Sequence, residues 1–289
     1  MKAGFLCLLL FFEMQSMVLE LNDAKDWGYF NKGKANVLYK YIGNDQKLKG
    51  KLLRLRLSDQ VITTLEVFQY INNQLKPLLP ETIDCALVKV EFNVDGALND
   101  GFGLLIPNML PDDAEVEQAE NYFKTYKSSD TFILELKPKW LTNVDKKCRN
   151  CAHHKYKFGV DSKFCSLDLL EKTQLSMALS LITNNFKIQA ALHRYFTSDE
   201  NILLKLKNLQ TIDQNVIDLE SESDVTDQFC TVMTLRDVTV FLVVKDGVVI
   251  NSVVTDTDPK SKSKWKHWVS TEKKLIDDGY YTRTNTRHN

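Results

Sequence analysis

The sequence predicts a mixed α/β chain of the α+β type, on three observations. Runs that alternate apolar with polar residues cluster early, in residues 26–57, as half-buried strands do. Amphipathic stretches at helical spacing come mainly later, as in residues 168–183. Two valine-rich runs flank Lys245-Asp246-Gly247, a hairpin signature.

The 289 residues suffice for one large domain or two lobes. With 44% apolar and 26% charged residues, the chain can bury a real core. The formal net charge is -1, so any polyanion site must be local. That balance suits a compact phosphorylated ligand better than long nucleic acid. Residues 1–18 form an apolar leader with one early lysine. It lacks a small-x-small cleavage site and is too short to span a bilayer, so it reads as an extension or an upstream start.

Taken in order, residues 26–42 hold two strand-like runs around a turn at 31–34. GKLLRLRL (50–57) alternates leucine with cations as a third strand would. Together they look like a nucleotide-covering lobe. Residues 58–75 read as a helix with Asp59 near its start, and 86–94 as a strand. GFGLLIPNML (101–110) is an apolar connector or an edge strand. A surface helix is expected around 116–126 and a strand at 132–136. Helices follow at 168–183, 201–209, 225–235 and 265–278, and strands at 238–244 and 248–254. The expected domains are 19–110 and 111–289.

The chemistry concentrates in residues 132–187. From Glu135 to Lys163, eight lysines and arginines face only Glu135, Asp145 and Asp161. Lys137 and Lys139 flank Pro138, and in an extended segment residues two apart project to one side. Arg149, His153 and Lys157 recur every four residues, one cationic stripe if helical. Arginine forks and lysine point charges suit phosphate oxygens; the bland alternative is a solvated face. Cys148, Cys151 and Cys165, with His153 or His154, have the donor set of a structural Cys3His zinc site. Such clustering also argues for an intracellular chain rather than disulfides. Asp237 precedes a strand, and Asp256 and Asp258 follow the next. Paired carboxylates after a strand are one way to hold magnesium.

ELKPK, CRNCAHHKYK, FCSLDLL, NNFKI, LRDVTVFL and TDTD, in that order, resemble the inositol-pentakisphosphate 2-kinase family in its shorter form. The resemblance implies a two-lobed, kinase-like fold with inositide-binding insertions. It implies an ATP-dependent kinase acting on the 2-hydroxyl of inositol 1,3,4,5,6-pentakisphosphate to give the hexakisphosphate. By resemblance, Lys137, Asp237 and Asp258 are catalytic, with Asp258 holding magnesium. Asn36, Arg54, Asn108 and Glu135 are expected at the nucleotide. Lys137, Lys139, Arg149, His153, Lys157, Asn185, Lys187 and Lys260 are expected on the substrate. His153 matches a substrate-facing histidine, which leaves His154 with Cys148, Cys151 and Cys165 for zinc. The expected ligands are ATP, Mg2+, Zn2+ and the inositide, on a monomer in the nucleus with no membrane insertion and no nucleic-acid partner. The alternative is a zinc-stabilised inositol-phosphate-binding module without catalysis, which would have no need of Arg54, Asp237 and Asp258.

Overall fold

The structure is a computed structural model and describes residues 17–19, 21–91, 100–143, 147–212 and 215–283. Most of the apolar leader, the end of the strand expected at 86–94, and Asp145 and Lys146 lie outside the described residues. The α+β class expected from the sequence holds. Contacts divide the chain into two compact units, Met1–Leu65 with Cys85–Ile106, and Glu66–Asp84 with Pro107–Asn289.

The first unit is built on a sheet of strands β1 (Met17–Leu19), β2 (Trp27–Lys32), β3 (Asn36–Tyr41), β4 (Lys51–Arg56), β5 (Ala86–Val90) and β6 (Phe102–Pro107). Their order is β1-β5-β6-β4-β3-β2, with β1 parallel to β5. Leu53 and Leu55 of β4 are fully buried among Trp27, Val37, Val88 and Leu105. Each such leucine contributes roughly 1.5–3 kcal/mol. Gly103 makes this packing possible, since a Cβ there would lie 2.8 Å from both Leu53 and Leu55. The other face of β4 carries Arg54 and Arg56, with Asn36 opposite Arg56 and Leu38 opposite Arg54.

Helix α1 (Thr64–Tyr70) starts in the first unit and enters the second at Glu66, then runs through a π-helical turn at Ile71–Leu75 into α2 (Lys76–Leu78). This helix was expected from residue 58 but starts at Thr64. Its cap comes from Asp100, whose carboxylate accepts from the Leu65 amide at 3.0 Å. Asp59 accepts instead from the side chain of Gln60. Beyond α2, the Glu81 carbonyl accepts from the Val254 amide and the Ile83 amide donates to the Val254 carbonyl.

An antiparallel sheet follows, ordered β11-β10-β9-β8-β7. Its strands are β7 (Glu115–Ala119), β8 (Phe123–Lys127), β9 (Thr131–Leu136), β10 (Thr239–Lys245) and β11 (Val248–Thr255). The surface helix expected at 116–126 is therefore a hairpin, closed by a hydrogen bond that the Glu120 amide donates to the Phe123 carbonyl. Its outer strand is an edge, nearly all exposed, so no apolar alternation marks it. The expected β10–β11 hairpin is present. Asp246 (φ 52°) and Gly247 (φ 76°) both take positive φ, as a two-residue type I′ turn requires.

The helices of this unit are α3 (Arg149–Phe158), α4 (Leu175–Ile182), α5 (Phe186–Phe196), α6 (Ile202–Leu209), α7 (Asp227–Leu235), α8 (Trp265–Asp277) and α9 (Tyr280–Arg283). The helix expected at 168–183 is shorter; Ser166–Leu170 is a 3-10 turn instead. Phe229 and Met233 of α7 pack with Trp268 and Val269 of α8 against Trp140. That cluster anchors the segment leaving β9, which carries the site.

Candidate active site

The β10–β11 hairpin organises the charged cluster. Thr239 pairs with Thr255 at its open end. Asp237 therefore enters, and residues 256–260 leave, at one end of the sheet. Thr234 of α7 ties the two together, since its hydroxyl accepts from the Lys260 amide at 3.1 Å and its carbonyl from the Asp237 amide at 2.9 Å. Antiparallel pairing of Val240 with Leu136 brings the end of β9 to the same place.

Asp237 sits between two cations. Lys139 Nζ lies 2.6 Å from Oδ1, and Lys260 Nζ pairs with Oδ2. Burial alone would raise this carboxyl, but the charges of Lys139 and Lys260 outweigh it and hold it below its ordinary value. The side chain is still 48% exposed, open to a ligand. Lys137 is exposed at the end of β9. Lys139 has a φ of 57°, so the extended alternation expected to align it with Lys137 ends before it.

The cationic stripe is helical, as its spacing requires. Cys148 caps α3 by accepting from the Cys151 amide, and Gly159 (φ 75°) closes it. The three members differ. Lys157 is exposed. Burial, then Arg149, Lys157 and Lys139, pushes His153 down to about 4, so its imidazole is neutral near neutrality. Arg149 is only 12% exposed; its Nε donates to Glu272 at 2.7 Å. Glu272 of α8 also accepts from the Tyr281 hydroxyl. The Arg149 guanidinium lies 4.1 Å from the Trp140 ring centroid, and that of Arg236 lies 3.7 Å from it. Burial, then Arg149, pushes Arg236 down to about 9.

Cys148, Cys151 and Cys165 are buried, with their sulfurs within 4.8 Å of one another. The Cys148–Cys165 sulfur separation is 3.7 Å. Four thiolate-length bonds in a tetrahedron put ligand sulfurs about 3.8 Å apart, so the three cysteines fit a zinc ion. Asp168 fixes the third, accepting from the Cys165 amide at 3.0 Å. His154, the expected fourth donor, lies outside this group. Its ring packs on Tyr122 and Phe158, and its buried Nδ1 has no hydrogen-bond partner.

The remaining candidates are spread more widely. Asn36 and Arg54 share a face of the first unit's sheet. In the second unit, Asn108 accepts from the Leu110 amide and Glu135 from the Tyr126 hydroxyl at 2.6 Å. Asn185 caps α5, accepting from the Lys187 amide. Asn185 and Lys187 border a depression shared with Ser128, Asp130, Asp246 and Gly247, at the end of the sheet opposite Asp237. The structure therefore does not bring them to the cluster.

Sequence reasoning missed Trp140, Asn150, Gln210, Arg236 and Glu272. Asn150 accepts from the Trp140 amide at 3.0 Å and donates to the Pro138 and Trp140 carbonyls. These residues act on backbone or through buried pairs, and no spacing rule flags them. No helix among the described residues is long and apolar enough to cross a membrane.

Comparison with known proteins gives one consistent result. The family model described as inositol-pentakisphosphate 2-kinase matches residues 29–205. A protein of that name from Saccharomyces cerevisiae is 31% identical over 269 residues, covering 84% of this chain and 94% of its own. Those from Debaryomyces hansenii and Yarrowia lipolytica are 29% and 28% identical, covering 89% and 94% of this chain and 93% and 98% of theirs.

Proposed function

The chain belongs to the inositol-pentakisphosphate 2-kinase family, and from that premise we propose that it transfers the γ-phosphoryl group of ATP to the 2-hydroxyl of inositol 1,3,4,5,6-pentakisphosphate. The observation that carries this reading is the convergence of Asp237, Lys139 and Lys260, with the stripe of α3 among their neighbours. Phosphoryl transfer through a loose transition state asks little covalent chemistry of a protein. It asks for cations on the phosphates and a carboxylate at the attacking hydroxyl.

Asp237 accepts the hydrogen bond of the 2-hydroxyl, orients it, and takes its proton late. Without substrate, its two carboxylate oxygens are occupied by Lys139 and Lys260. Substrate phosphates compete for those ammonium groups and release an oxygen for the hydroxyl. Lys137 and Lys139 neutralise charge on phosphates near the transfer, while Arg149, His153 and Lys157 hold those further along the ring. Asp258 would hold magnesium, which when bound would offset phosphate charge. Asn36 and Arg54, on one face of the first unit's sheet, bind the nucleotide. Cys148, Cys151 and Cys165 would supply three donors to a structural zinc. A nuclear location and a monomeric state complete the reading.

The test is to incubate purified protein with ATP, magnesium and separate inositol phosphates, and to locate any new phosphate by NMR. Phosphorylation of the pentakisphosphate at position 2 is expected. Tight binding of the inositide without any product would sink the catalytic reading in favour of a binding module.

A further inference from the structure

Gln210 is the first residue beyond α6 and is fully buried. Its side-chain amide uses both donors and its acceptor. Nε2 donates to the carbonyls of Lys139 at 3.0 Å and Leu235 at 3.1 Å, and Oε1 accepts from the Leu141 amide at 2.7 Å. Two carbonyls on one side and an N–H on the other fix which way the amide faces. Its backbone carbonyl also accepts from the Arg236 guanidinium at 3.3 Å.

These partners lie on either side of the reacting pair. Lys139 and Leu141 belong to the turn after β9. Leu235 ends α7, two residues before Asp237, whose amide donates to the Thr234 carbonyl at 2.9 Å. One buried amide thus spans the two backbones that carry Lys139 and Asp237. The Lys139 backbone needs such support. A left-handed φ of 57° costs a lysine roughly 1–2 kcal/mol, and no sheet ladder holds the chain there. Gln210 and Asn150 between them bind the carbonyls of residues 138–140 and the amides of 140 and 141.

We propose that Gln210 is a positioning residue for phosphoryl transfer, setting Lys139 against Asp237 by bridging the backbones that carry them. This rests on the kinase reading above. Gln210 touches no substrate; it acts through the lysine. Removing its amide frees the turn to relax from the left-handed conformation and shifts the backbone from which Lys139 reaches a phosphate beside Asp237.

A double-mutant cycle tests it. Gln210→Met, Lys139→Met and the double variant are compared for kcat, KM for each substrate, inositide affinity by calorimetry, and melting temperature. A control, Leu179→Ala on the buried face of α4, reports loss of stability without loss of alignment. Gln210→Met should lower kcat roughly ten- to a hundred-fold, the scale of a small misplacement of a reacting group, with KM for ATP unchanged. The double variant should be no slower than Lys139→Met alone, because the two share one effect. Multiplied losses in the double variant, or a Gln210→Met enzyme that loses only melting temperature as the control does, would overturn the proposal. If Gln210→Met does not fold, Gln210→Glu replaces it, keeping shape and acceptor but losing both donors, with the same expectations. If the wild-type protein binds inositide but turns nothing over, the kinase reading fails. The positioning claim then stands or falls on the same cycle read in inositide affinity.

Discussion

Asp237 carries two separable expectations. Asp237→Asn keeps shape and removes the proton acceptor, so turnover should fall roughly 10²- to 10⁴-fold while calorimetry still finds both ligands bound. Near-normal turnover from a folded variant would remove Asp237 from the chemistry. The second expectation concerns pH. Lys139 and Lys260 hold this carboxyl below its ordinary value against burial. Replacing Lys260 by methionine removes one of the two, so the folded pKa rises. A carboxylate that must be ionised then loses function at a higher pH as acid is added. The acid limb of the kcat/KM profile, which reports the free enzyme, should move upward in Lys260→Met, and an unmoved limb would show that Asp237 does not set it. The place of Asp237 at the end of the sheet was legible in LRDVT because it borders a valine-rich strand. The left-handed Lys139 was not, since glycine or asparagine usually marks such a position and the amides that hold it come from residues 150 and 210.

Helix α3 joins two chemistries, and they respond differently to change. Its N-cap and first turn together carry two of the three thiols, so dialysed protein should hold about one zinc per chain, from the four-ligand arithmetic of such sites. Chelation should lower inositide affinity before nucleotide affinity. Elemental analysis without zinc would leave the three cysteines as ordinary buried thiols. The stripe itself should not be probed through Arg149 alone. Arg149 and Glu272 are 12% and 3% exposed, and breaking a buried pair costs roughly 3–5 kcal/mol. Arg149→Ala should therefore lower the melting temperature as well as inositide affinity. Lys157→Ala, on an exposed side chain, should weaken inositide binding by roughly 1.5–3 kcal/mol with the melt unchanged; unchanged calorimetry would make it a solvated lysine. Element types were read well where the pattern had a buried face, as in β4, β10 and α8. They were misread at β7–β8, where a charged edge strand shows neither period. Glu272 escaped notice because its partner is 123 residues away.

Two compact units with separate cores should answer a ligand separately. Trp27 lies in the first unit's core, and Trp140, Trp265 and Trp268 lie in or against one of the second's. In a Trp27→Phe variant, tryptophan fluorescence reports the second unit alone. Inositol hexakisphosphate at a hundred times its dissociation constant should stabilise that signal by about 2.7 kcal/mol. An unmoved signal would show that the inositide does not bind the second unit. The division of the chain was only partly legible, because the segment Glu66–Asp84 is held in the second unit by contacts with Val254 and Lys205 that no local pattern announces. The Asp237 cluster also has a history written in its connectivity. Lys260 reaches Asp237 across 23 residues of chain, most of them a tight hairpin, whereas Lys139 reaches it across 98. Closing the longer loop costs about 1.3 kcal/mol more entropy, and contacts of long separation form late. On refolding, the acid should therefore meet Lys260 first and Lys139 afterwards, so that polyanion affinity returns in a slower phase than hairpin structure.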